Sequence, residues 1–168
     1  MRSRRATEAP AEEPGIRAVG LVACSLQKLE RPAPARQLYC SVLFRKSLAY
    51  AERTCDRVYV LSGFWGLVEL DQEIKPYNHR LGCKLDRVAW GMRVAGKLIE
   101  RHGREVDYVI LAGEDYARPL ATELRTFDGR QAGVGRGVAA HRIRQPLAGM
   151  TPGRRLRWLN KQLGAETA

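Results

Sequence analysis

Chemically capable side chains stand at the ends of three apolar runs. Residues 17–23 open into Cys24, Ser25 and Lys28; residues 57–62 end at Ser62 and Gly63; residues 107–112 lead through Gly113 into Glu114, Asp115 and Tyr116. A thiol, hydroxyls, an ammonium and carboxylates over an aromatic floor make a small-molecule pocket. The residue pattern alone goes as far as a ligand-binding α/β domain. Within it Glu114 and Asp115 are candidate catalytic carboxylates, and Lys28 is a candidate donor. Cys24 would be a nucleophile if Lys28 and a helix N-terminus stabilised its thiolate. Each has a plainer reading: carboxylates in a first helical turn, a solvated turn lysine, and a small apolar thiol closing a strand.

The second run leads into a turn-rich segment, 61–85, LSGFWGLVELDQEIKPYNHRLGCKL. A long connection with aromatics at intervals reads as a site rather than a spacer. Its candidate binding residues are Ser62, Gly63, Trp65, Lys75, Tyr77 and His79, joined by Ser25 and Tyr116 from the other two runs. Phe64, Trp65 and Tyr77 offer faces on which a base can stack; core packing is the rival, slightly favoured for Phe64 and disfavoured for Trp65, which stands between Gly63 and Gly66. His79 is able to move protons near neutral pH; its plainer reading is an exposed loop histidine.

Positioning these groups calls for a parallel sheet, which delivers consecutive strand ends to one edge. The near-continuous apolar runs at 17–23, 58–61 and 107–112 are those of buried parallel strands. Helical spacing covers 34–55, 85–102 and 115–125. Residues 137–143 make a short fourth strand, and Thr151-Pro152 opens a last helix over 153–163. The pattern predicts an α/β fold, three-layer α/β/α, around a short, mainly parallel four-stranded sheet. Ser25, Lys28, Trp65, Tyr77 and Tyr116 are then expected around one cavity.

The 168 residues suit one domain, here 16–168, behind a charged, Pro/Ala-rich leader over 1–15 that reads as disordered. No apolar run is long enough to span a membrane, and the leader lacks the apolar stretch of a secretory signal. Four cysteines without paired spacing argue against structural zinc and fit a reducing cytoplasm. No triad, metal set, Walker loop or dinucleotide fingerprint is present, so neither a metal nor a cofactor is expected. The net charge is +11, and residues 130–168 hold eight basic residues against one acidic. Arg142, Arg144, Arg154, Arg155 and Arg157 form a candidate surface for nucleic acid.

The run VACSLQKLERPAPARQLYCSVLFRKSLAYAE resembles the opening of a bacterial and phage domain family of unknown function. There a strand is followed by a Cys-Ser/Gly-x-x-Lys turn and a Leu-Tyr-x-Ser-x-Leu-Phe-x-Lys helix. LSGFWGLVELDQEIKPYNHRLGCKL is similar to the central motif of the peroxide-stress YaaA-type proteins, and PLAGMTPGRRLRWLNKQL also fits the unknown-function family. The turn of Cys24, Ser25 and Lys28 further resembles the base-handling domain of archaeosine synthase, which is related in fold to uracil-DNA glycosylases. This last resemblance implies an α/β/α protein with a nucleobase or nucleoside pocket at its strand ends. N-glycosidic cleavage there would take a carboxylate to activate water or steady an oxocarbenium-like sugar, for which Glu114 and Asp115 are candidates, and a donor to the departing base, for which Lys28 is one. The glycosylase water-activating motif and His-Pro-Ser loop are not recognisable, so standard uracil excision is not implied.

Two functions are therefore expected. The first is a nucleobase- or nucleoside-handling enzyme, a glycosylase-like hydrolase cleaving an N-glycosidic bond or exchanging a base on a nucleotide or nucleic acid. The second is a non-catalytic, stress-associated nucleic-acid-binding protein, with an open basic groove past Arg142, Arg144, Arg154 and Arg157.

Overall fold

The computed structural model describes residues 15–127 and 137–164; the expected leader, apart from Gly15, lies outside them. Four strands run parallel: β1 (Ala18–Ala23), β3 (Arg57–Ser62), β6 (Asp107–Leu111) and β7 (Ile143–Arg144). A fifth, β4 (Gly66–Glu69), folds back antiparallel on β3, giving the order β4-β3-β1-β6-β7. The sheet thus has one strand more than the four expected. Gly66, at φ 75, takes the left-handed conformation that lets the chain reverse after Ser62. Two short strands, β2 (Ala33–Pro34) and β5 (Glu73–Ile74), pair separately and tie the 61–85 segment down.

Strand alternation produces two cores. Val19 and Leu21, Tyr59 and Leu61, and Tyr108 and Ile110 face helices α3 (Lys84–His102) and α4 (Glu114–Thr126). Val22, Val60, Val109 and Leu111 face α2 (Val42–Thr54) and α5 (Pro152–Gly164). Successive side chains leave opposite faces, so strands buried on both sides must be apolar throughout. The result is the three-layer α/β/α arrangement. Glycines set the closest approaches: a Cβ on Gly20 would lie 3.0 Å from Ala51 Cβ, and one on Gly91 in α3 would lie 3.1 Å from the Pro119 carbonyl of α4.

The helix expected over 34–55 is broken. A short helix α1 (Ala35–Leu38) ends at Tyr39, which bridges to Lys28, and α2 restarts behind Ser41. The Ser41 hydroxyl accepts the Phe44 N–H at 3.1 Å, an N-cap that competes with continued helix. The strand expected at 137–143 shrinks to Ile143–Arg144 after a 3-10 turn, Ala140–Arg142. All four cysteines are free. Among the described residues no helix is long and apolar enough to cross a membrane.

The contact at Gly91 is a sharp test of this packing. Gly91→Val should lower stability by about 1–3 kcal/mol, since the opposing Pro119 backbone cannot yield as a side chain would. Urea unfolding should show a lower midpoint at unchanged slope. An unaltered midpoint would mean that α3 and α4 are not this close.

Candidate functional site

The ends of β1 and β6 open onto two cavities, of about 370 Å³ and about 420 Å³. Both are lined by Cys24, Ser25, Asp115 and Tyr116, which therefore form a shared wall. The Cys24 thiol and Tyr116 hydroxyl meet in that wall at 3.4 Å. Glu114 and Arg155 complete one chamber; Lys28, His79 and Arg87 line the other. Parallel strands alone account for the convergence, because residues 24–28 and 113–116 leave the sheet at the same edge.

The turn after β3 is held from beneath. Ser62 is fully buried, and its carbonyl accepts the indole N–H of the equally buried Trp90 at 2.8 Å. Its hydroxyl accepts the amides of Phe64 and Trp65, at 3.2 and 2.9 Å, and donates to the Tyr77 hydroxyl at 2.7 Å. Tyr77 in turn pairs with the Tyr39 hydroxyl at 2.8 Å. Burial pushes Tyr39 up to about 12 and raises Tyr77 and Tyr116 as well, an effect the nearby Cys24 thiol reinforces. These phenols stay neutral at physiological pH and act as hydrogen-bonding groups, not as bases. Lys28 Nζ sits over the Tyr77 ring at 4.5 Å and the Tyr39 ring at 5.8 Å. Its own pKa is lowered by burial, with Cys24 opposing.

Phe64 is not core: it is 55% exposed, beside Trp65 at 42%. The Ser62 bonds hold both residues in a tight turn, which turns their rings outward. Phe64 lies nearly parallel to Tyr77 at 5.5 Å and meets Trp65 and His79 edge-on at 4.8 and 5.9 Å. A continuous line of groups thus runs from Lys28 through Tyr77 and Phe64 to Trp65.

The expected single cavity is realised in part. Ser25, Lys28, His79 and Tyr116 share the second chamber, with Tyr77 beneath the Lys28 ammonium. Trp65 lines neither chamber; it meets Phe64, which stacks on Tyr77. Ser62 and Gly63 serve beneath the surface: a Cβ on Gly63 would fall 2.9 Å from the Tyr116 hydroxyl. Lys75 is exposed just beyond β5 and lines neither chamber. The two carboxylates differ. Asp115 pairs with Arg87 at 2.8 Å, while Glu114 makes no ion pair among the described residues and accepts only the Gly149 amide at 3.4 Å. No three His, Cys, Asp or Glu among the described residues cluster closely enough to hold a metal ion.

The expected basic groove is divided. Arg142 pairs with Glu105 and Asp107 at 3.2 and 3.3 Å, and Arg144 approaches Asp107 at 3.9 Å. Asp107 begins β6, so both arginines lie at the end of the sheet away from the cavities. Arg154 and Arg157 are exposed on α5, whereas Arg155 turns into the first chamber. Residues missed by sequence reasoning are Tyr39 and Arg87, together with the cavity position of Arg155. Only Tyr39 carried a signal, since Ser41 two residues later marks a helix start.

Comparison with known families gives one match: a model described as a family of unknown function (DUF6884) covers residues 19–161. No curated protein and no solved structure matches the chain.

The buried phenols make the site sensitive to alkali. A tyrosine raised from 10.0 to about 12, as Tyr39 is, contributes stability that is fully present below pH 10. That contribution is lost as pH rises toward 12, because the unfolded chain releases its phenolic proton first. Denaturant unfolding should show falling stability over this window, with part of the phenolate absorbance delayed past pH 10. Ionisation of every tyrosine near pH 10 in a folded protein would contradict the buried network.

Proposed function

The chain belongs to this family of unknown function (DUF6884), and we propose that it handles a nucleobase or nucleoside by cleaving or exchanging an N-glycosidic bond. The observation that carries the reading is the triplet after β6. A carboxylate with no ion pair among the described residues (Glu114), an ion-paired carboxylate (Asp115) and a neutral phenol (Tyr116) follow one another into the same chamber as Cys24 and Ser25. Glu114 takes a proton from water as the water oxygen bonds to the sugar carbon. The carbon–nitrogen bond breaks, and its electron pair leaves with the base. Asp115, oriented by its ion pair with Arg87, steadies the positive charge developing on the sugar. Lys28 or Tyr116 supplies a hydrogen bond or proton to the departing base, and the Phe64 and Tyr77 rings offer a stacking face. The resemblance to the archaeosine synthase domain supports the same substrate class, in a cytoplasmic setting.

The direct test is mass spectrometry for free bases after incubation with a panel of modified nucleosides, nucleotides and DNA. A released base is expected, with Glu114→Gln slowing release about 10²-fold or more. Full activity in Glu114→Gln would remove this carboxylate from the mechanism.

A second reading, non-catalytic binding of nucleic acid, is favoured by one separate feature. Arg154, Arg157 and Lys161 are exposed at helical spacing along α5. If that stripe contacts phosphates, Arg154→Ala with Arg157→Ala should weaken DNA or RNA binding. It should also flatten the slope of log affinity against log salt by up to ~2. An unchanged slope would sink the second reading.

A further inference from the structure

We propose that Arg155 holds a phosphate group of the ligand, so that the two-chambered site takes a phosphorylated nucleoside rather than a free base or nucleoside. This rests on the nucleobase reading and adds the ligand's anionic end. The arginines with acidic neighbours are satisfied: Arg36 by Glu52 and Asp71, Arg87 by Asp115, Arg101 by Glu69, Arg142 by Glu105 and Asp107. Arg155 has no such partner among the described residues, although its Nε is buried without a hydrogen bond. Arg87 and Arg104 bury an Nε in the same way, but Arg87 already pairs with Asp115 and Arg104 lines neither chamber.

The Arg155 guanidinium also lies against Gly113, where a Cβ would fall 2.9 Å from Nη1 and 3.6 Å from Cζ. A guanidinium whose Nε is buried without a partner gains from a counter-anion, and its planar fork matches a phosphate in two-point contact. Ser41 and Ser47 line the same chamber, as does Ser25, whose hydroxyl donates to the Gln27 carbonyl at 2.9 Å. Glu114 lines it too and opposes an anion, but its Oε1 is turned to the Gly149 amide. The neighbouring chamber, with Lys28 and His79 in its lining and the Tyr77 ring beneath Lys28, accommodates the planar base. One ligand with an anionic end and a planar end fills both sides of the Cys24–Tyr116 wall.

Calorimetric titration of the full chain tests this with the four common ribonucleosides, their 5′-monophosphates, inorganic phosphate and a short single-stranded oligonucleotide. At least one monophosphate should bind ten-fold or more tightly than its nucleoside. Arg155→Gln should erase that difference and leave nucleoside affinity unchanged. Gly113→Ala should do the same with the charge retained, because its methyl displaces the guanidinium while φ −75 suits alanine. It carries the test if Arg155→Gln fails to fold. An oligonucleotide that binds through Arg155 where mononucleotides do not assigns the phosphate to a polymer backbone and upholds the subsite. Phosphate binding that needs Arg155, with no preference for any nucleoside group, upholds the subsite and removes the nucleobase reading. Equal affinity for nucleoside and nucleotide overturns the phosphate subsite and leaves that reading standing. No binding of any ligand overturns both.

Discussion

The site depends on β1 running parallel between β3 and β6. That pairing, from Val19 opposite Arg57 to Val22 opposite Leu111, sets the strand ends side by side. Cys24 follows directly and donates its amide to the Leu61 carbonyl at 2.9 Å, so the register continues one residue past the strand. An antiparallel order would send the residues after β6 to the far end of the sheet. The wall of Cys24, Ser25, Asp115 and Tyr116 would then not exist. Because these strands are covered on both faces, the edge is the place where polar groups can gather without entering a core.

Within that edge, a neutral hydroxyl network underlies the charged groups. Ser62, Tyr77 and Tyr39 form a buried hydroxyl chain anchored on Trp90, and burial keeps the phenols protonated. Fully satisfied polar networks of this kind rigidify what they support. Here the support extends to the Phe64–Trp65 turn and to the Lys28 ammonium over the Tyr77 ring. Among the charged groups, Glu114 and Arg155 line the first chamber, Arg87 lines the second with Lys28, and Asp115 borders both. On the proposed function, the phenolic floor orients the ligand, and the carboxylates and guanidinium act on it.

Much of this arrangement was legible in the chain. Apolar runs ending in small residues located β1, β3 and β6, and those runs fixed which side chains stand at their ends. Local signals then competed with one another. Ser41 capping Phe44 outweighed the helical spacing across 34–55, and Gly66 turned the 61–85 segment into a hairpin. Phe64 was misread because apolar character implies burial only one way: an aromatic in a turn braced from beneath by Ser62 has no core to enter. The fate of the arginines was not legible at all. Arg142, Arg155 and Arg157 look alike in the sequence. One is paired at the far end of the sheet, one is drawn against Gly113, and one is left in solvent. Such differences arise from tertiary neighbours far away in the chain, Asp107 and Gly113 among them.

The central claim is that the loops after β1 and β6 form one ligand site. Backbone amide NMR during titration with nucleoside 5′-monophosphates addresses it most directly. The account predicts that the largest shifts fall on Cys24, Ser25 and residues 113–116, with Arg155 moving at the same ligand concentrations. Shifts confined to the exposed face of α5 around Arg154 and Arg157, with the strand-end amides silent, would contradict it.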